Sequence, residues 1–116
     1  MAEMAGSIEE NLKKALSEML VLKLFADEDR YIGELHTLLE KQSGGRLSIT
    51  SLYAAVYRLL GNGYIESAGS RVSADGRRRQ FYSITENGRQ RFAAQKDTYE
   101  EFIKGVNSVL RKKPKA

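Results

Sequence analysis

Arginines and tyrosines are the residues of this chain whose types and spacing best suit contact with a partner. Arg77 to Arg79 follow an Asp-Gly pair, and Tyr53 and Tyr57 lie four residues apart with Arg58 beside the second. Guanidinium groups make planar, two-pronged contacts with phosphates and guanine edges. Tyrosine can hydrogen-bond a phosphate while its ring covers a sugar. These residue types therefore predict contact with DNA.

Catalysis and metal binding have little support in the sequence. His36 is the only histidine, cysteine is absent, and no pair of carboxylates forms a motif for general acid–base work. The Gly44-Gly45-Arg46 turn lacks the Gly-Lys-Ser/Thr that follows in a phosphate-binding loop. We expect no enzyme activity, no cofactor and no metal site, and we expect His36 to face solvent or to pack.

The net charge of +4 conceals a segregation along the chain. Residues 1–45 have a balance of −4, residues 46–91 one of +5, and residues 92–116 one of +3. The middle segment contains eight arginines and no lysine, which favours phosphate contact. The alternative is a solvated surface followed by a basic tail.

The 116 residues suit one compact domain, and a hydrophobic fraction of 41% can provide its core. No apolar run reaches the roughly 18 residues that span a membrane. The N-terminus lacks the basic and apolar regions of a signal peptide. We expect a cytoplasmic protein without membrane contact.

A short helix is predicted to present the two tyrosines. Ser48 suits its N-cap, and Gly61-Asn62-Gly63 supplies residues that tolerate the left-handed conformation in which helices end. An apolar stripe at helical spacing would face the core and comprises Leu52, Val56, Leu59 and Leu60. The opposite face comprises Ser51, Tyr53, Ala54, Tyr57 and Arg58.

Two helices are predicted before this one. Ser7, with Glu10 three residues later, fits a capping box that opens a first, largely buried helix ending near Asp27. Apolar residues at helical spacing predict a second helix from about Tyr31 to Gln42.

Two strands and a long helix are predicted after it. Alternating patterns indicate strands at 65–72 and 78–84 around the Asp-Gly hairpin turn, and Thr85 suits the cap of a last helix. Three helices, two strands and a long helix are the order of a winged helix-turn-helix domain followed by a dimerisation helix. The predicted fold is therefore mainly α with a small β-wing.

The last helix has an apolar heptad, which is typical of helix pairs. With the apolar face of the first helix it forms the predicted dimer interface: Leu16, Leu20, Phe92, Tyr99, Phe102, Ile103, Val106, Val109 and Leu110. The alternative is that this helix folds back onto its own domain. The predicted organisation is a flexible N-terminus at 1–7, the DNA-binding domain at 8–85, the dimerisation helix at 86–110 and a basic tail at 111–116.

In a helix-turn-helix, the second helix enters the major groove with its N-terminal residues nearest the bases. The predicted DNA-binding residues are Arg46, Thr50, Ser51, Tyr53, Tyr57, Arg58, Arg77, Arg78 and Arg79. Two alternatives stay open, namely that the hydroxyls only cap the helix and that the arginine turn is only solvated. Strand alternation puts Arg78 on the opposite face from Arg77 and Arg79, so not all three need touch DNA.

Two blocks of this sequence resemble the PadR-like transcriptional regulators. The first comprises Ser43–Ser48, Ser51–Tyr53, Arg58-Leu59 and Gly63–Glu66; the second comprises Gly76–Tyr82, Ile84–Glu86 and Gly88-Arg89. The likeness extends from about Leu16 to Leu110. Ala54, Leu60 and the Ile32-Gly33 pair depart from the family's pattern. The last of these replaces a Gly-Tyr pair near the start of the second helix, so the resemblance does not carry over a tyrosine contact from that helix.

The resemblance implies a homodimeric regulator, usually a repressor, whose C-terminal helices pair. It also implies that short-tailed members sense small aromatic or apolar compounds at the dimer centre. Because the chain has no tryptophan, Phe25, Tyr99 and Phe102 are the candidate lining of such a pocket, with plain interface packing as the alternative. We expect a near-palindromic operator with half-sites about 34–36 Å apart. The competing classes are a protein-interaction module and a ligand-binding dimer without specific DNA binding.

Overall fold

Within residues 2–50 and 52–115, which this computed structural model describes, the chain forms four α-helices and one three-stranded antiparallel sheet. The helices are α1 (Ala2–Asp27), α2 (Leu35–Gln42), α3 (Leu52–Gly61) and α4 (Glu86–Arg111). The strands are β1 (Arg30–Tyr31), β2 (Ile65–Val72) and β3 (Arg78–Ile84), and a 3-10 turn, Ile32–Glu34, joins β1 to α2. The predicted class, mainly helical with a β-wing and a long last helix, is confirmed.

Three element boundaries differ from those predicted. The first helix begins at Ala2, ahead of the Ser7 capping box. The second begins only at Leu35, because Tyr31 pairs with β3 in the short strand β1. The third begins at Leu52, so Ser48 is not adjacent to its first turn and the capping prediction for Ser48 is wrong.

The core lies where α1, α2 and α3 meet the base of the hairpin. Its buried apolar residues are Val21, Leu22, Leu24, Phe25, Leu35, Leu39, Ile49, Leu52, Ala55, Val56, Leu59, Ile65 and Ile84. Fully burying a large apolar side chain contributes roughly 1.5–3 kcal/mol. The stripe predicted on α3 is the buried face of that helix, and Leu60 completes it as a partly buried residue. This packing determines which face of α3 remains open.

The connection from α2 to α3 is a turn followed by an anchored segment. Gly44 and Gly45 have φ angles of 64° and 83°, which favour glycine, and the Gly45 amide donates to the Glu40 carbonyl at 2.7 Å. The Ser43 hydroxyl accepts from the Leu47 amide at 2.8 Å. Ile49 then inserts into the core, which holds the chain just ahead of α3.

The sheet has the order β1-β3-β2, with β3 in the centre. Ser67 pairs with Tyr82 and Gly69 with Phe81, so β2 has a bulge between these positions. Tyr82 packs partly against the core, and Phe81, its neighbour in the strand, points to the opposite face.

The base of α4 is joined closely to the end of α3. The Thr85 hydroxyl accepts from the Gly88 amide at 3.0 Å, as predicted for an N-cap, and donates to the Gly63 carbonyl at 2.7 Å. The Thr85 amide donates to the Tyr64 carbonyl at 3.0 Å. A Cβ placed on Gly88 would lie 2.0 Å from that carbonyl oxygen, so only glycine permits this approach.

No helix in the described ranges is long and apolar enough to cross a membrane.

Candidate nucleic-acid interface

Both tyrosines of α3 are open to solvent. Tyr53, in the first turn, is 49% exposed, and Tyr57, one turn later, is 66% exposed. The ring of His36, on α2, meets Tyr53 edge-on with 6.4 Å between ring centroids. His36 therefore packs against the aromatic surface, which is one of the two placements expected for it. The open face of α3 presents phenol groups at the end that a helix-turn-helix directs towards bases.

The structure describes only one of the two predicted contact residues just ahead of α3. Thr50 is exposed and borders a shallow cleft with Glu10 and Lys14 of α1. Ser51 lies outside the described residues, so its predicted contact stays a prediction.

Two predicted arginines pair with carboxylates of α1. The Nε of Arg46 lies 3.4 Å from Glu9, and the Nε of Arg58 lies 3.3 Å from Glu18. Glu18 also lies 3.9 Å from Arg91 of α4, so this carboxylate links three helices. Exposed ion pairs of this kind contribute only about 0–1 kcal/mol. Both arginines can therefore exchange a carboxylate for a phosphate at little cost.

The tip of the hairpin is held by its own hydrogen bonds. The Ser73 amide donates to the Arg77 carbonyl at 2.8 Å, and Asp75 accepts from the Arg77 amide at 3.1 Å and from the Ser73 hydroxyl. Together with the Arg79 guanidinium, these donors lower the pKa of Asp75 well below its ordinary value, the Ser73 hydroxyl most.

Arg77 and Arg78 project from this ordered tip. Both are exposed, and the one polar contact of the Arg78 side chain within the described residues is a long one, 3.5 Å to the Ser70 hydroxyl. Their guanidinium groups are open to an approaching phosphate.

Arg79 is placed differently from its two neighbours. It pairs with Asp75 at 2.8 Å, its guanidinium carbon lies 4.9 Å from the centroid of the Tyr31 ring, and its side chain is 31% exposed. In the strand register Arg79 opposes Arg71 and Arg78 opposes Val72. Arg77 lies just outside β3, so the predicted placement of Arg77 and Arg79 on one face stays a prediction. Of the three arginines, Arg79 is engaged within the protein.

Two arginines near the sheet were not predicted to have any role. Arg71 pairs with Asp29 at 2.8 Å and lies over the Phe81 ring. Arg30 is buried and donates to the Leu24 carbonyl at 3.1 Å, which helps to end α1. Their partners lie elsewhere in the chain or on the main chain, so spacing gave no signal for them.

Over residues 21–94 the chain matches the Transcriptional regulator PadR-like family. It belongs to that family. The members of this family are transcriptional regulators and not enzymes, so the functional class of this chain is that of a DNA-binding regulator.

Solved structures agree with the family. A PadR-like transcriptional regulator from Bacillus cereus strain ATCC 14579 has 26% identity and a TM-score of 0.76, with 89% of this chain and 99% of that chain covered. A transcriptional regulator from Clostridium thermocellum has 26% identity and a TM-score of 0.72, with coverage of 84% and 93%. For the fold alone, a PadR family regulator from Eggerthella lenta DSM 2243 has 21% identity, a TM-score of 0.77 and coverage of 97% and 96%. No curated protein matches the chain at a significant level.

The outer part of α4 in this PadR-like chain exposes most of the heptad. Phe102 is 69% exposed, and Tyr99, Val106, Val109 and Leu110 are exposed as well, while Ile103 is half-buried. Closer to the base, Phe92 packs against the core, as does Leu20 of α1. Only the base of the helix therefore folds onto its own domain, and the rest offers an apolar face.

A groove of about 500 Å³ runs between α1 and α4. Its lining includes Leu16, Tyr99, Phe102 and Ile103. Phe25 does not reach it, because that ring is 1% exposed inside the core, and the expectation that Phe25 lines the pocket is wrong. The lining also includes Gln95, whose side-chain oxygen is buried and has no hydrogen-bond partner among the described residues.

Proposed function

We propose that this PadR-like regulator binds a near-palindromic operator as a homodimer and represses transcription. The observation that best supports the proposal is the combination of an open tyrosine face on α3 with two exposed arginines at the wing tip. Both belong to a chain whose outer α4 exposes apolar side chains such as Phe102 and Val109. A two-point contact on DNA and a symmetry mate account for all three features together.

On each half-site, the first turn of α3 enters the major groove. Tyr53, with Thr50 and Ser51 ahead of it, approaches base edges and the adjoining phosphates. Tyr57, one turn further along, contacts the backbone. The wing places Arg77 and Arg78 against phosphates or in the neighbouring minor groove, where the negative potential is deepest.

Dimerisation covers the exposed heptad of α4. Contiguous apolar surface of this kind is rare on a monomer and marks an interaction site. Pairing two α4 helices about a two-fold axis buries Phe102, Val106 and Val109 with their symmetry mates. The same axis relates the two α3 helices, so the operator has half-sites about one helical turn apart.

A small aromatic or apolar effector binds in the groove between α1 and α4 and relieves repression. Tyr99 and Phe102 supply ring surfaces. The buried side-chain oxygen of Gln95 has no hydrogen-bond partner among the described residues and can accept from a donor group of the effector. The preferred effector is therefore a flat molecule with one donor group, such as a phenol or an aromatic amine.

Selection of bound duplexes from a random pool, followed by fluorescence anisotropy at several salt concentrations, tests the DNA part of the proposal. We expect two inverted half-sites and a steep fall of affinity with salt, because each phosphate contact contributes about 0.9 to the logarithmic slope. Enrichment of no motif and a flat salt dependence would rule out the operator proposal. Tight binding of an aromatic compound without any effect on operator affinity would instead support a ligand-binding dimer.

A further inference from the structure

Six side chains form a row on one face of the wing sheet, in the order Asp29, Arg71, Phe81, Tyr31, Arg79, Asp75. We call this row the wing ladder. We propose that Arg71 and Arg79 are positioning residues of the wing and that Arg77 and Arg78 alone make its DNA contacts. The inference rests on the proposed DNA binding and assigns separate tasks to neighbouring arginines.

Contacts connect the ladder from end to end. Asp29 pairs with Arg71 at 2.8 Å, and the Arg71 guanidinium carbon lies 5.2 Å from the centroid of the Phe81 ring. That ring meets Tyr31 edge-on, with 5.5 Å between centroids. The Arg79 guanidinium carbon lies 4.9 Å from the Tyr31 centroid and, on its other side, Arg79 pairs with Asp75 at 2.8 Å.

Strand register explains why these side chains meet. Tyr31 opposes Phe81 across β1 and β3, and Arg71 opposes Arg79 across β2 and β3, so all four project to one face. Like charges directly opposite each other destabilise a sheet. Here each arginine instead turns to its own carboxylate and lies over its own ring, and such cation–π contacts are favourable. The ladder is electrically balanced, with two cations and two anions.

The two ends of the ladder belong to different parts of the fold. Asp29 lies in the connection after α1, next to the helix-turn-helix, whereas Asp75 is at the wing tip. A continuous row between them determines the angle of the wing relative to α3. That angle decides whether Arg77 and Arg78 reach the phosphates beside the groove that α3 enters.

The ladder also makes Arg79 less available for contact with a DNA phosphate. Its Nε is buried and has no hydrogen-bond partner within the described part of the chain, and its charge is already compensated by Asp75. An arginine already paired with a carboxylate gains less from a phosphate than an open one. Arg77 and Arg78 have no such carboxylate on their side chains among the described residues.

The direction in which one substitution changes operator affinity distinguishes a positioning role of Arg79 from a direct DNA contact. Asp75→Asn removes a negative charge from a surface that meets a polyanion, so simple electrostatics predicts tighter binding, more so if it frees Arg79 for DNA. The ladder predicts the opposite. We expect Asp75→Asn to weaken operator binding roughly twofold to fivefold, the range that exposed ion-pair couplings of up to about 1 kcal/mol allow. Asparagine keeps the oxygen that accepts from the Arg77 amide, so the turn itself is preserved.

Glu66→Gln is the matched control, since Glu66 is an exposed carboxylate on the same hairpin outside the ladder. Its affinity should equal that of the wild type or exceed it slightly. If Asp75→Asn binds as tightly as the wild type or more tightly, the positioning role of Arg79 is overturned.

A double-mutant cycle provides a readout that simple loss of structure would not give. Asp75→Asn and Arg79→Gln break the same link, so the double variant should bind operator about as well as either single variant. Full additivity would mean that Arg79 contributes on its own, as a direct DNA contact does, and would overturn the proposal. Tyr31→Leu removes an uncharged member of the ladder, so it should weaken binding and lower the logarithmic salt slope, because the displaced wing loses phosphate contacts of Arg77 and Arg78; an unchanged affinity and slope would overturn the positioning role.

Hydrogen exchange of the free protein tests the ladder without DNA. Amides of β2 and β3 near the tip should exchange faster in Asp75→Asn than in Glu66→Gln, because the tip has lost an anchor. Unchanged exchange would overturn the ladder even if DNA binding is established. Faster exchange in a protein that binds no operator would support the ladder and refute the proposed function, so the two failures are distinguishable.

Discussion

The wing and the outer half of α4 both extend from the same core, but their side chains are satisfied in different ways. In the wing, charged residues meet aromatic rings and carboxylates of the same chain, from Asp29 to Asp75. In outer α4, apolar residues such as Phe102 and Val109 are exposed at 69% and 75%.

The two regions differ in whether contacts within one chain are enough to satisfy their side chains. A hairpin that satisfies its own charges has a defined direction in a single chain. An amphipathic helix whose apolar face is open acquires its environment only on association, because burial of that face is the main stabilising contribution available to it. Wing orientation is therefore determined within one chain, whereas the outer face of α4 would find its apolar partner only in the proposed dimer.

Phe102→Glu tests the α4 side of the comparison and has the largest expected effect. A charge at the centre of an apolar seam should prevent pairing and reduce operator affinity about 30-fold or more, as for removal of a hot spot of about 2 kcal/mol. Sedimentation velocity should detect a monomer. The control is Ser108→Glu, which introduces the same charge at an exposed position on the other side of α4. A Phe102→Glu protein that remains dimeric would show that α4 pairs through another face.

A pair of glycine substitutions locates the point where α4 leaves its own domain. Gly88→Ala should lower the free energy of unfolding by about 1–3 kcal/mol, because its Cβ overlaps the Tyr64 carbonyl. Gly105→Ala should raise it by about 0.5–1 kcal/mol, since nothing lies within 4 Å and alanine favours the helix. Urea unfolding monitored by circular dichroism measures both. Destabilisation by Gly105→Ala would mean that a second chain covers this flank of α4.

Arg78→Ala addresses the wing as a DNA contact. We expect roughly fivefold weaker binding to every duplex, about 1 kcal/mol, and a logarithmic salt slope smaller by about 0.9. Tyr53→Ala should instead weaken specific binding more than non-specific binding, since it lies at the groove end of α3. Anisotropy titrations on operator and scrambled duplexes distinguish the two patterns. Equal loss on both duplexes for Tyr53→Ala would argue against base recognition by α3.

Acid should have the smallest effect on the wing. Because the folded-state pKa of Asp75 is depressed, its contribution is present above the ordinary aspartate pKa of about 3.9 and is lost only as the pH falls through the lower folded value. Exchange protection at the tip should therefore stay constant from neutral pH down to about pH 4. Carboxyl NMR should also detect a rise of the Asp75 pKa in both Ser73→Ala and Arg79→Ala, since the serine hydroxyl and the guanidinium each donate a hydrogen bond to this carboxylate.

Local signals predicted most of this fold. Strands β2 and β3, the Thr85 cap and the long last helix follow from alternation, turn residues and capping chemistry, which act over a few residues. Strand β1 has only two residues and no pattern of its own, so it exists only because β3 offers an open edge. The start of α3 was misplaced because the burial of Ile49, a tertiary contact, holds the preceding segment out of the helix.

The candidate site was predictable in residue type but not in detail. Strand alternation separates Arg78 from Arg79, but it does not reveal that Arg79 pairs with Asp75 and lies over Tyr31. Nor does it reveal that Arg77, predicted to share a face with Arg79, is exposed. The pairing of Arg71 with Asp29 joins residues 42 positions apart, which no local pattern can reveal. Phe25 was assigned to a pocket for its ring alone, whereas its position on α1 points that ring into the core.

The Thr85 and Gly88 junction makes α4 a lever arm. With 26 residues, α4 is about 39 Å long, and its base moves rigidly with the end of α3. In a dimer whose α4 helices pair at their outer ends, a rotation of about 10° at that pairing displaces the base of α4 by about 7 Å. This distance is roughly two base-pair steps of DNA, since ten base pairs rise about 34 Å. In the proposed dimer, a small change in the crossing of the two α4 helices is therefore enough to bring α3 out of register with the groove.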